Sequence, residues 1–511
     1  MTDTETPTVV ILSAAKNLGS PNDSLVQSDA LSRDQILRSA ASGERAQDDE
    51  DNRIGTVFGH LLLAVALAFL LPASALAQRG LEHPPHPMPP GERGSPNIQV
   101  LAHIPLGVEG SVSDVDIEQS LDRPFAYVAR RVGEIGFDVI DLSTPEDARV
   151  IHRWRIENPD LHSGGAMDGR YFAHDDRSYY VQSFQLGQGG PNSDVGAIIF
   201  DTTDLPERVV EVGRIRQPDN PGGFHNIFMY KHSSGTPMLF ATNGPQAKVF
   251  DLARFLEAPD DELANPNRSL IGIVPVAQSE DMWSRGYHDF YVAYHPETGQ
   301  DRFYGGGGSG YYVYNVTDVA SPELLVTILD VPGVSWGHTF TPTPDGNFAV
   351  GETEFQYQPL RIFDLRPGLS GEVDNIDHAV GVWHADWKSL AHNHEVRWPF
   401  VFVSGYQTGL SVFNMADPTN PYTVAYYDTF DGIHNDRTAA MARLGSPYTW
   451  NVYDGAWGVD VRNADGLIVV SDMTTGFWAF RMDGFDRWYG PDWGMPDVSS
   501  AQPWATGQGT P

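Results

Sequence analysis

The chain contains no cysteine among its 511 residues. That excludes disulfides, thiolate nucleophiles and cysteine-held metals, and leaves the compartment open. Basic residues are scarce: 33 Lys and Arg stand against 67 Asp and Glu, a formal net charge of −34. Such a surface repels nucleic acid and anionic lipid, and no nucleic-acid partner is expected; cations or a basic partner remain compatible with it. No GxSxG occurs. Gly305–Gly308 lacks the Lys-Ser/Thr ending and the following helix of a phosphate loop, and reads as a strand end that needs close packing. Long apolar runs are also rare, and Leu61–Leu71 is the one that stands out.

Glycine and proline are plentiful, at 51 and 37 residues, which points to many turns. They punctuate a repeat, clearest at Glu395–Phe430. Phe400–Val403 is a short apolar run, Leu410–Phe413 follows Gly409, and Tyr422–Tyr427 follows the turn Asp417–Pro421. Each reads as a strand, and three short strands in succession make most of one propeller blade. Copies of the stretch after Gly409 follow Gly136, Gly196, Ala247, Gly310, Pro359 and Gly476. Their polar punctuation falls at Asp141, Asp201, Asp251, Asn315, Asp364, Asn414 and Arg481, spaced by roughly 50 to 65 residues.

The expected fold is therefore all-β, a seven-bladed β-propeller over residues 97–483. Asn97–Ile104 resembles an outer strand and precedes the first complete blade, whereas the last copy lacks one. The N-terminal strand is thus expected to complete the seventh blade and close the ring. Residues 252–268 form an insertion with helical character. The repeat resembles the LVIVD-repeat family of bacterial propellers, a likeness that implies architecture and leaves activity open.

Outside the propeller, residues 1–56 read as a disordered leader. Within it, Val10–Gly19 has the look of translated non-coding sequence, which would place the true start further on. Residues 57–77 read as a signal peptide, with Ala75-Leu-Ala77 as cleavage site before Gln78, or as a membrane anchor if retained. Export to the periplasm, the cell surface or the medium is the expectation, with membrane contact only through 57–77. Residues 78–96 are a Pro-rich linker, and 484–511 a loosely held C-terminal tail.

Inner strands line a propeller's channel, and their starts carry histidines. His225, His288, His338 and His394 open the third to sixth blades. In the seventh, Gly458 stands at that point, and His162 lies a few residues early in the second. Residues at equivalent positions of adjacent inner strands converge, and several converging imidazoles suggest a transition metal such as copper, iron or zinc. Glu352, Glu354 and Glu395 are placed to orient ring N–H groups. Two other readings stand beside this one: histidines that only bond a neighbouring blade's backbone, and a substrate pocket without metal. His232 and His295 fall at the far strand ends and read as structural.

A second resemblance lies in Val150–Arg153 through Leu161–Gly164, which is similar to a segment of the selenium-binding protein/methanethiol oxidase family. It implies a metal-dependent oxidoreductase, although that family's cysteines have no counterpart here. An extracellular interaction or adhesion scaffold is the remaining alternative. The small-molecule or protein ligand stays unidentified at this level.

Overall fold

The computed structural model describes residues 93–501 and Trp504, except 108–109, 163, 187–190, 278–285 and 433–452. The leader, the signal or anchor segment and nearly all of the Pro-rich linker lie outside the described residues. No described helix is long and apolar enough to cross a membrane.

Seven four-stranded antiparallel sheets form the blades of a β-propeller. Their innermost strands are Val112–Ile117, Gly165–His174, Ile227–Lys231, Asp289–His295, Phe340–Pro342, Asn393–Arg397 and Ala456–Val461, and each touches the next around the ring. Ile98–Ile104 pairs antiparallel with Gly476–Met482 as the outer strand of the seventh sheet. Just before it, Asn97 Nδ2 donates to Val424 O of the sixth blade at 3.1 Å.

The repeated Asp or Asn has a physical role. It ends the third strand, and its side chain accepts from a backbone N–H two residues on. Asp141 takes Ser143 N (2.9 Å), Asp201 Thr203 N (3.0 Å), Asn315 Thr317 N (3.1 Å), Asp364 Arg366 N (3.1 Å) and Asn414 Ala416 N (2.8 Å). Each bond turns the chain toward the outer strand. At Asp251 the same carboxylate caps the helix Leu252–Glu257 through Arg254 N. Arg481 breaks the pattern because no such turn is needed there: the seventh blade's outer strand arrives from the N-terminus.

The third-to-outer pairing carries a register shift at one equivalent place in five blades, among them Val139/Ile140 and Val412/Phe413. A bulge there strengthens strand twist, which blades packed face to face require. Between blades the core is largely aromatic. Tyr127 stacks on Tyr180 with centroids 4.2 Å apart, and Tyr311 on Phe340 at 4.7 Å.

The C-terminal tail is not loosely held through Ser500. Phe485 and Trp488 are buried against the sixth and seventh blades, and Trp488 Nε1 donates to Trp398 O at 2.9 Å. Ser500 Oγ bonds Glu395 and accepts from Arg397 Nη1, and Trp504 packs on Phe172. Sequence composition hid this, because Gly- and Pro-rich segments dock through a few apolar anchors rather than a periodic face.

Candidate metal centre

One backbone feature aligns the blades at the channel mouth. A hydroxyl on the second strand accepts the same inner-strand N–H in four of them: Asp168 N to Ser183 (3.0 Å), Asn226 N to Thr242 (2.9 Å), Asn393 N to Ser404 (3.3 Å) and Gly458 N to Ser471 (3.0 Å). The residues just before these are Met167, His225, His392 and Trp457. His392, not His394, therefore stands level with His225, and Trp457, not Gly458, holds the seventh blade's place.

Ring contacts agree. His225 Nε2 lies 3.0 Å from His288 Nε2, the His288 and His338 rings are 3.9 Å apart, and the His338 and His392 rings 5.0 Å. Each of these four histidines immediately precedes, or stands two residues before, the first paired residue of its strand. The residue after each is polar: Asn226, Asp289, Thr339 and Asn393. These polar residues tie the inner strands together beneath the rings. Asn226 Nδ2 donates to His288 O (3.0 Å), and Thr339 Oγ1 to Asp289 Oδ2 (3.1 Å).

Glu354 lies at the centre of the arc. Its Oε2 is 3.5 Å from His338 Nε2 and 3.8 Å from His288 Nε2, and its Oε1 is 4.0 Å from His392 Nε2. His288, His338 and Glu354 each offer one ligand atom within 4.8 Å of the others. Glu354 has φ +48°, a left-handed conformation that a residue with a Cβ adopts only where its surroundings hold it. Tyr406 Oη donates to Glu354 Oε1 at 2.7 Å.

The outer ring nitrogens are engaged. His392 Nδ1 donates to Trp457 O at 2.7 Å, an acceptor that can hold no proton itself. This fixes the tautomer and leaves a lone pair on Nε2. His225 Nδ1 faces Gln185 Oε1 at 3.0 Å, with the same result. His338 Nδ1 lies 2.6 Å from Glu352 Oε1 and 2.9 Å from Thr339 Oγ1. His338 Nε2 is buried without a hydrogen-bond partner among the described residues. Backbone fit also matters here. A Cβ on Gly306 would stand 1.8 Å from His338 O, so only glycine lets this strand lie against the His338 backbone.

Burial disfavours charge on these rings. It lowers His225 to about 4, with help from the Arg131 guanidinium, and lowers His392 to about 3. His338 falls well below the usual range through burial and its histidine neighbours. Burial raises Glu354 to about 7, against the hydrogen bond from Tyr406. Glu352 is also raised well above the usual range by burial, then by Glu354 and Asp289.

No protein-family model matches the chain, and no curated protein matches its sequence.

The remaining expected site residues go elsewhere. His394 is buried two residues further along its inner strand and lines a lower chamber with Asp114, Arg170 and Asp289. Along this strand Asn393 and Glu395 turn toward the channel, so His394 faces the neighbouring blade, on the side of Val396 and beside the Val350 backbone, and does not join the arc. Glu395 does not orient a histidine; it bonds Arg397 Nη1 at 2.8 Å and Ser500. His162 follows the 3-10 turn Pro159–Leu161, five residues before Met167, and makes no ring or ion contact with the arc among the described residues. His232 and His295 serve their own turns, through Ser234 Oγ (2.8 Å) and Thr298 Oγ1 (2.9 Å). Tyr406 and Arg131, which face the arc, had no signal in the sequence.

The mouth is asymmetric. The third to sixth blades contribute histidines. The seventh, first and second begin their inner strands higher and carry register shifts at Ala456/Gly458, Val112/Val115 and Ala166/Gly169. Their side is lined by Trp457 and Met167, which pack with Leu390, Tyr406 and Met473.

Proposed function

We propose that this protein is an exported, LVIVD-type propeller that binds a transition metal, copper, iron or zinc, at its channel mouth, and a ligand beside it. The observation that carries this reading is the convergence of acceptors. His225 and His392 present Nε2 lone pairs, His338 Nε2 is orphaned, and Glu354 receives one donor, Tyr406. Buried lone pairs facing a carboxylate repel each other unless a cation or protons lie between them. The depressed histidines supply no protons near neutrality, and Glu354, near 7, is only partly protonated there.

The donor set fits a metal. Imidazole and carboxylate suit copper, iron and zinc, and an ion about 2.0–2.1 Å from two ring nitrogens holds them about 3 Å apart. The 3.0 Å between His225 and His288 matches that spacing. The residues that would hold the ion are His288, His338 and Glu354, whose ligand atoms lie within 4.8 Å of one another, with His225 and His392 at the two ends of the arc placed to complete the set. Glu352, Gln185 and the Trp457 carbonyl orient the rings. Bound there, such an ion would act as a Lewis acid or, for copper and iron, as a redox centre.

A second reading, a metal-dependent oxidoreductase related to the methanethiol oxidase family, draws on Tyr406 and Glu354. A carboxyl near 7 that accepts from a phenol can take up and return a proton at neutral pH. The test of the metal reading is elemental analysis of protein stripped with chelator and then exposed to copper, iron or zinc. About one ion per chain is expected, and none would leave the histidines structural.

Residues 57–77 support export, and the mature protein is expected to begin at Gln78. N-terminal mass spectrometry of protein from its native compartment checks this; recovery from membranes with 57–77 intact would favour an anchor. The pairing of Ile98–Ile104 supports a clasp that joins the two ends of the ring.

A further inference from the structure

Arg131 stands where the acidic composition makes a cation least expected. It follows the second strand of the first blade, and its backbone N–H donates to Ser111 O at 2.8 Å. Its guanidinium lies over the Trp457 ring, with Cζ 5.2 Å from the centroid. That ring is 4.3 Å from His392, so Arg131 faces the arc from the side that carries no histidine. Its field reaches Glu354, His225, His392 and Tyr406. Among the described residues, Arg131 has no carboxylate partner and no side-chain hydrogen bond.

In a chain with twice as many acids as bases, most arginines near the ring are paired. Arg130 meets Asp138 at 2.5 Å, Arg170 has three aspartates within 3.6 Å, and Arg397 meets Glu395 at 2.8 Å. Arg131 is half-buried against an indole face instead. Cation–π contact holds the guanidinium plane in place and leaves its N–H fork unspent. The fork suits the two oxygens of a carboxylate. Next to it, Met167, Leu390, Trp457 and Met473 form a buried apolar cluster, of which the Trp457 ring lies under the guanidinium.

We propose that the ligand of this site is a small organic anion, with its carboxylate on Arg131 and its apolar part against Met167 and Trp457. The proposal rests on the metal reading: the guanidinium and a divalent ion together make the mouth a cationic spot on an acidic surface, which selects anions over neutral molecules.

Benzoate is the probe, with benzamide as its uncharged counterpart. Each is titrated calorimetrically into metal-loaded full-length protein and into Arg131→Gln, with metal content measured in both. The expected result is benzoate binding to the parent, weakened about tenfold or more in Arg131→Gln. Arg131→Lys should recover part of the loss, benzamide should bind weakly to all, and metal content should not change. Equal benzoate affinity in the parent and Arg131→Gln, or no benzoate binding to the loaded parent, overturns the proposal and leaves the metal reading intact. Arg131-dependent benzoate binding to a parent that takes up no metal overturns the metal reading alone.

Discussion

His225 Nε2 and His288 Nε2 face each other across 3.0 Å, although 63 residues separate them in sequence. With Gln185 on His225 Nδ1, the contact aims a lone pair at the neighbouring imidazole. Two blades bring the rings together because each histidine stands just before its inner strand begins, and the polar residue after it binds the next blade.

Ring orientation should govern affinity. Glu352 is buried and lies 2.6 Å from His338 Nδ1. Glu352→Gln keeps the shape but removes the charge that the carboxyl can carry beside the ring. Metal affinity, measured by competition with a chelator, should fall about 10–100-fold. An unchanged affinity would mean that His338 needs no orienting partner.

The lower channel makes a prediction about pH. Burial raises Asp114 and Asp116 well above the usual range, with Asp168 adding to the first and Asp460 to the second. Burial, then Glu395, raises Asp460 to about 6. Carboxyls raised in the folded state bind more protons there than in the unfolded chain. Their contribution is complete below about 4 and is lost as pH rises through the folded values. The depressed histidines of the arc act in the opposite sense, so the carboxyl part is read by difference: the melting temperature of metal-free parent minus that of Asp460→Asn should be larger at pH 5 than at pH 8. The opposite order in a calorimetric scan would contradict these carboxyl environments.

Ring closure is testable by deletion. Ile98–Ile104 covers the edge of Gly476–Met482 and packs with residues such as Phe477 and Ala479. A protein lacking residues 78–104 should unfold at markedly lower temperature and denaturant, because an edge strand and its apolar partners become exposed. A melting curve that overlays the parent's would remove the clasp.

Much of the fold was legible in the sequence, and part of the site was. The Asp and Asn punctuation repeats because a turn chemistry repeats, so the blade count could be read from it. The insertion after Asp251 is indeed helical, as Leu252–Glu257 and Pro259–Ala264. The structure places the rings of His225, His288 and His338 side by side. His392 rather than His394 stands beside them, because hydrogen-bond register sets where the inner strand starts and which of its side chains face the neighbouring blade, and the sequence does not show that register. The signal that separates them is the residue that follows: Asn226, Asp289, Thr339 and Asn393 form a series, and Glu395 does not belong to it. Glu354 was recognised as near the histidines, but its left-handed backbone, which carries it into the arc, leaves no sequence trace. Arg131 reaches the mouth from a hairpin end of the first blade and Tyr406 from one of the sixth, and only the closed ring brings the two to one place.

The most direct test is the comparison of His392→Ala with His394→Asn, each stripped and reloaded with one metal, its fold checked by circular dichroism, its metal located by anomalous diffraction. His394→Asn should keep about one ion, roughly 2.0–2.2 Å from His338 Nε2, and His392→Ala should lose most of it while remaining folded. Metal retained in folded His392→Ala and lost from folded His394→Asn, or no anomalous peak beside His338 in the parent, would contradict this metal centre.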